Sequence, residues 1–368
     1  MDSSGSSLLP KGKIIGSKWK VIRKLGEGGC GSVFKVLNLA SNPTDPELAA
    51  LKAEQNSDIN VLKLEIQVLQ RLEGKPYVAQ LLYSGKKENV SYVIMTLMGE
   101  SLANLLKRVG GRVTKSTLVR VAVNILFCIK QIHDIGFVHR DLKPANIAIG
   151  NPATGRHHFL HVLDFGLSRM FVTQKAGKVQ LRKPREQALF RGTTRYCSIN
   201  VHNKKDQCRV DDLWSFMYML AEMRAPLPWK HIQTRTQIGE SKRTTPLSKV
   251  FQCFPETMIE ICNYLSELDF FTRPDYHWIA TNFFDIIREN KYKFTDPYDW
   301  ENLNSKNAVI TMEEITNQTR RPNSASDARE PTNSSDSLNK TLEEKPNIVI
   351  SPEDPFPEEY FRMNTLGV

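Results

Sequence analysis

Residues 139 to 146 read His139-Arg140-Asp141-Leu142-Lys143-Pro144-Ala145-Asn146, with a carboxylate and a carboxamide five positions apart. Asp164-Phe165-Gly166 follows, behind the strand-like run HFLHVLD. Asp141 is a group that can accept a hydroxyl proton. Asn146 and Asp164 offer hard oxygen ligands. A Mg²⁺ ion that sits on phosphates keeps several waters, so two protein ligands suffice. Upstream, Lys52 lies in the apolar strand pattern ELAALKAE. An unpaired charge inside an apolar strand is costly, so Lys52 needs an anion nearby. Glu65, thirteen positions on, falls between Leu62 and Leu69 on the apolar face of a predicted helix. Pairing the two solves both problems and leaves Lys52 aimed at a phosphate. A surface ion pair is the alternative.

Gly26-Glu27-Gly28-Gly29-Cys30-Gly31-Ser32-Val33 fits G-x-G-x-x-G-x-V. The same glycines open a helix in a dinucleotide fold, but here strand-like SVFKVLNL follows. They therefore read as a hairpin tip whose backbone can close over phosphates. Taken alone, an ordinary glycine hairpin explains them equally well.

These groups need scaffolding of two kinds. WKVIRKLG, SVFKVLNLA, ELAALKAE and SYVIMTLM read as short strands, with one helix, INVLKLEIQVLQRLEG, among them. Its core face is read as Leu62, Ile66 and Leu69. After Gly99 the pattern turns helical: Val121, Ile125, Cys128 and Ile132, then Leu213, Phe216, Met217 and Leu220 behind Asp211 or Asp212 as a cap. Strands first and helices after predict an α+β protein of two lobes. The boundaries are read as a loose N-terminus over 1–17, a small lobe over about 18–98, a large lobe over about 99–298, and a tail over 304–368. The tail is rich in Ser, Asn, Pro and Glu, a composition that predicts disorder.

The chain has 368 residues and a net charge of +10. The charge is uneven: 304–368 holds seven basic and eleven acidic residues, leaving +14 on residues 1–303. A basic body favours anionic partners. No apolar run reaches membrane-spanning length, and MDSSGSSLLPKGK lacks a signal core. Six cysteines without a C-x-x-C pair point to reduced thiols. The expectation is an intracellular protein, cytoplasmic or nuclear, without a membrane partner. No oligomerisation motif is visible, so a monomer is expected. His157-His158, with His161 nearby, reads as a solvated loop.

The chain resembles the eukaryotic protein kinases, with motifs from Leu25 to about Asp275. Within them it is similar to the casein kinase I group, and most to the tau-tubulin kinases. GFVHRDLKPANIAIG, VLDFGLSRMF, FRGTTRYCSIN and DDLWSFMYMLAEM carry that likeness, with LPWKHI and RPDY. In that group Ser198-Ile199-Asn200 stands where other kinases have A-P-E. The resemblance implies a two-lobed kinase fold and a serine/threonine kinase using ATP and Mg²⁺. It implies that Asp141 is the base, that Lys143 contacts the transferred phosphate, and that Asn146 and Asp164 hold the metal. Gly26, Gly28 and Gly31 would cover the phosphates, and Lys52 with Glu65 would place them. Adenine would lie between Leu25, Val33 and Ala50 and the linker after Met95, with Leu97. It also implies activity without an activating phosphate at Arg140, and makes the tail a candidate for autophosphorylation. Cys30 departs from the family, where an aromatic residue usually caps the glycine loop. It reads as an inert filler or as a thiol open to electrophiles.

Between Leu167 and Tyr196 stand Arg169, Lys175, Lys178, Arg182, Lys183, Arg185, Arg191 and Arg195, opposed within the segment by Glu186 alone. Arg182, Lys183 and Arg185 read as a platform for acidic or phosphorylated peptides, and Arg195 matches an anion-binding position of the group. Lys242 is a second candidate contact. Two other readings stand beside the active kinase. One is a pseudokinase scaffold. The other is a basic protein that binds microtubules or other cytoskeletal partners. No basic patch interleaved with aromatics supports nucleic acid.

Overall fold

The computed structural model describes residues 8–28, 31–55, 61–87, 89–301, 350–351 and 354–368. Strands β1 (Ile14–Ile15), β2 (Trp19–Gly28), β3 (Gly31–Asn38), β4 (Leu48–Gln55), β5 (Leu81–Lys87) and β6 (Val90–Thr96) form one antiparallel sheet in the order β1-β2-β3-β4-β6-β5. Period-2 alternation divides its faces. Ala49, Leu51 and Ala53 of β4 are buried with Trp19, Phe34 and Ile94, while Ala50 and Lys52 point the other way. Helix α1 (Val61–Arg71) packs behind, with Leu62, Glu65, Val68 and Leu69 buried. Ile66, expected on that face, is only half-buried. Leu62, Glu65 and Leu69 lie on the expected face, and Ile66 sits at its edge, packed against the main core.

The large lobe is built around α3 (Lys115–Asp134), which follows the short α2 (Leu102–Arg108) and is buried on all sides from Thr117 onward. Strands β7 (Phe137–Val138), β8 (Ile147–Ile149), β9 (Leu160–Val162) and β10 (Arg169–Met170) carry the loops that face the small lobe. A hairpin of β11 (Val172–Lys175) and β12 (Lys178–Leu181) starts the segment before α4 (Ile199–His202). Helices α5 (Arg209–Glu222), α6 (Arg235–Thr244), α7 (Leu247–Val250), α8 (Thr257–Glu267) and α9 (Tyr276–Glu289) complete the lobe. The cap of α5 differs from expectation. Cys208 is the N-cap, and Asp211, at the third helical position, accepts the Cys208 N–H at 2.8 Å.

Both ends of the chain depart from the boundaries read in the sequence. Residues 8–17 are not a loose lead-in: Leu9 and Ile15 are 2% and 1% exposed in the small-lobe core, and β1 pairs with β2. Residues 354–368, read as part of a disordered tail, pack on the large lobe, with α10 (Glu358–Arg362) among them. Phe356, Tyr360 and Phe361 are 1%, 4% and 0% exposed, against Phe127, Phe284 and Phe294. The tail's overall polarity hid a short aromatic cluster. Three buried aromatics are worth several kcal/mol, enough to hold 15 residues when the groove is already built. The expected disorder of 304–349 lies outside the described residues.

Candidate active site

The sheet register brings the small-lobe residues together. Lys52 pairs with Val33 on β3 and Val93 on β6, and Ala50 pairs with Met95. Val33, Ala50, Met95 and Leu97 are half-buried along the cleft, and Leu25 is exposed at its lip. Gly28 and Gly31 face each other across the β2–β3 hairpin. At φ +113, Gly31 holds a conformation few other residues adopt, and a Cβ there would lie 2.3 Å from the Ala53 carbonyl oxygen. Gly26 leaves open space where a side chain would stand. Gly29 and Cys30 lie outside the described residues.

Lys52 Nζ lies 2.6 Å from Glu65 Oε2 and 2.6 Å from Asp164 Oδ1. The predicted pair is present, and Asp164 joins it. Burial disfavours the lysine's charge, but the two carboxylates outweigh it and hold Lys52 above its ordinary value. Burial raises Glu65 against the pull of Lys52. Burial also raises Asp164, but Lys52 more than offsets this and the carboxyl lies below its ordinary value. Asp164 has φ +66, a backbone turn that brings the residue out of β9 toward the lysine.

The second cluster centres on Asp141, which is 8% exposed. Lys143 Nζ donates to its Oδ2 at 2.6 Å, and Thr193 Oγ1 donates to its Oδ1 at 2.6 Å. Lys143 also donates to Thr193 Oγ1 at 3.3 Å. Asn146 Nδ2 donates to the Asp141 carbonyl at 3.0 Å, which turns the amide oxygen away from Asp141. That oxygen and the Asp164 carboxylate are hard-oxygen groups of the kind that could hold Mg²⁺.

The loop carrying Asp141 is held from beneath. Asp212, 1% exposed, accepts the backbone N–H of His139 at 2.7 Å and of Arg140 at 2.8 Å, and it meets His133 Nε2 at 2.9 Å. Burial raises its carboxyl, and these donors more than offset that. Gly192 closes the loop from above: a Cβ there would lie 2.4 Å from the Arg140 carbonyl oxygen. Ser198-Ile199-Asn200 is integrated as well. Ser198 Oγ and Asn200 Nδ2 both donate to Asp211 Oδ1, at 2.5 and 3.2 Å.

The basic segment is less free than its sequence suggests. Asp206, outside the segment, takes Arg185 as a bidentate partner at 3.1 and 2.7 Å and stands 3.7 Å from Arg169. Arg195 pairs with Glu222 at 3.1 Å. Arg182 is exposed and donates through Nε to the Val172 carbonyl, and Lys183 is exposed. Lys242 is not available as an anion contact. It is 5% exposed and donates to the carbonyls of Thr194 and Cys197 at 2.8 and 2.6 Å. Burial pushes its pKa down to about 8. His157 and His158 are half-buried rather than solvated, and His158 Nδ1 stands 3.4 Å from Glu301.

Thr193, Asp206 and His133 carry this geometry without a signal in the sequence, whereas Asp212 reads there, beside Asp211, as one of two candidate helix caps. Thr193 sits inside FRGTTRYCSIN, but only the fold brings it to Asp141. Among the described cysteines all are free thiols, with Cys128, Cys197, Cys208 and Cys262 buried.

A curled sheet over a helical lobe, with these charges where they meet, is the architecture of a protein kinase. Comparison with known proteins agrees: the protein kinase domain signature matches residues 19–284. The chain is 44% identical over 305 residues to a Caenorhabditis elegans protein named for the serine/threonine-protein kinases, covering 82% of this chain and 87% of that one. It is 30% identical over 304 residues to casein kinase I homolog 3 of Schizosaccharomyces pombe, covering 79% and 67%. It is 34% identical over 250 residues to the inactive tau-tubulin kinase ttbk-6 of Caenorhabditis elegans, covering 65% and 86%. The chain belongs to the protein kinase family, as a serine/threonine kinase of the casein kinase I group with tau-tubulin-kinase-like relatives.

Proposed function

We propose that this kinase transfers the γ-phosphate of MgATP to Ser or Thr of acidic or already phosphorylated proteins. The observation that carries the reading is the convergence of Lys52, Glu65 and Asp164 opposite Asp141, Lys143, Asn146 and Thr193 in one cleft. In this reading Asp141 orients the substrate hydroxyl and takes its proton. Lys143 and Lys52 neutralise phosphate charge from two sides, and Glu65 keeps Lys52 in place. Mg²⁺, held by Asp164 and Asn146, would neutralise charge on the phosphates. Gly26, Gly28 and Gly31 let backbone close over them, and Leu25, Val33, Ala50, Met95 and Leu97 receive the base. Positioning and charge supply nearly all of such a barrier reduction.

The scaffold reading is weaker because each position that the chemistry needs is filled and the charged groups meet within hydrogen-bonding distance. Asp206 supports activity without an activating phosphate. It already supplies an anion to Arg185 and Arg169, and it partly offsets the charge around Arg140. The exposed Arg182, Lys183 and Arg191 support acidic substrates, cytoskeletal proteins among the candidates, and Arg195 could join them by releasing Glu222. No described helix is long and apolar enough to cross a membrane. A cytoplasmic or nuclear monomer fits these readings.

The test is transfer of radiolabelled phosphate from MgATP to casein and to the protein itself, comparing wild type with Asp141→Asn. Loss of transfer in the variant supports the reading. Equal labelling by both would overturn the role of Asp141. No transfer by wild type, with MgATP still raising its Tm, would favour the scaffold.

A further inference from the structure

Residues 354–368 cross the large lobe in two parts with different targets. The first part is an anchor. Phe356 and Phe361 fill the aromatic groove, and Tyr360 donates its hydroxyl to Asp134 at 3.1 Å. The second part leaves the groove and heads for the catalytic face. Arg273 Nη2 donates to the Met363 carbonyl at 2.7 Å, and Arg209 Nη1 donates to the Val368 carbonyl at 2.9 Å. Between these clamps Gly367, at φ +68, closes a turn, its N–H reaching Asn364 Oδ1 at 3.1 Å. The turn lays Leu366 and Val368 on the cluster of Val138, Phe171 and Val172.

That cluster joins the catalytic loop to the start of the activation segment. Val138 immediately precedes His139 and pairs with Arg169. The Phe171 N–H donates to the Gly136 carbonyl at 2.9 Å, and the Phe171 carbonyl accepts the Arg182 N–H at 2.8 Å. The β7–β10 pairing spans two residues on each strand. A strand pair that short is marginal without cover from elsewhere in the fold. Its hydrophobic cover includes Leu366 and Val368, and the Arg209 guanidinium lies 4.9 Å over the Phe171 ring.

We infer that Leu366 and Val368 are positioning residues for phosphoryl transfer. By covering Val138, Phe171 and Val172 they keep the activation segment against the catalytic loop, with Arg140 on the Leu167 and Ser168 carbonyls at 2.6 and 3.4 Å. The working geometry of the kinase then depends on a stretch of its own chain from far beyond the kinase motifs. This inference rests on the kinase reading above.

The test is the full chain carrying Leu366→Ser and Val368→Ser, with the anchor aromatics intact. The kcat should fall about tenfold, with KM for ATP changed by less than about twofold. Hydrogen exchange of the nucleotide-free protein should quicken at residues 137–141 and 169–172, and the Tm should drop by only a few degrees. The conservative pair Leu366→Met and Val368→Ile should keep kcat. A wild-type kcat in the serine variant, or unchanged exchange at 169–172, would overturn the inference. So would a fall in kcat that the conservative pair shares in full. Exchange is read without nucleotide, so it decides this point even if wild type and Asp141→Asn transfer phosphate equally, the result that would sink the role of Asp141.

Discussion

Thr193 Oγ1 lies 2.6 Å from Asp141 Oδ1, so the activation segment supplies a hydroxyl donor to the carboxylate of the catalytic loop. The same hydroxyl accepts from Lys143. Thr193→Val should therefore lower kcat by about 10- to 100-fold, the range of a charge-assisted hydrogen bond. Thr193→Ser should keep most of it. Steady-state kinetics on casein check both, and an unaffected Thr193→Val enzyme would remove this residue from the mechanism.

Asp206 gathers two arginines that would otherwise repel each other beside Arg140. Asp206→Asn should reduce turnover several-fold and lower the Tm by a few degrees, because a partly buried pair loses one member. Turnover measured alongside thermal unfolding separates the effects. Full activity in the variant would show that the segment does not need this internal anion.

Arg182, Lys183 and Arg185 of the basic platform are all exposed, but Arg185 is engaged with Asp206. Arg182→Glu with Lys183→Glu should raise KM for an acidic peptide about tenfold and leave kcat nearly unchanged. The effect should shrink as salt is added. An equal rise for a neutral peptide would mean that the change acts on the fold, not on charge recognition.

His161 on β9 is 3% exposed, and burial pushes its pKa down to about 4. The unfolded chain binds its proton near pH 6.5 and the folded chain does not. Stability is thus complete above about 6.5 and is lost as pH falls toward 4. At pH 5 this one group should cost about 2 kcal/mol. Denaturant unfolding at pH 7 and pH 5 gives the difference, which should be smaller in His161→Gln.

The small lobe and the catalytic loop could be read from the chain because their signals are local. Alternation in ELAALKAE sets Lys52 apart from Leu51, and Glu65 follows thirteen positions on, just past the first turn of α1. Thr193, Asp206 and Asp212 carried no such signal. Each is a common polar residue whose partner lies 21 to 73 positions away, at Asp141, Arg185 and His139. Lys242 misled in the other direction. Its charge suggested a ligand contact, but the fold turns it inward onto two carbonyls that no sequence pattern marks. Composition failed at residues 354–368 because averaging over a polar tail dilutes Phe356, Tyr360 and Phe361.

Glu301 and Ile350 both lie on the large lobe, Glu301 beside Tyr298 and His158 and Ile350 against the main hydrophobic core. Chain scission anywhere between them should separate two polypeptides without separating the particle. A denaturing gel would show two bands where gel filtration shows one peak. The piece that carries Phe356, Tyr360, Phe361, Leu366 and Val368 would behave as a noncovalent subunit of the kinase, held by its aromatic anchor and released only when the groove that receives it comes apart.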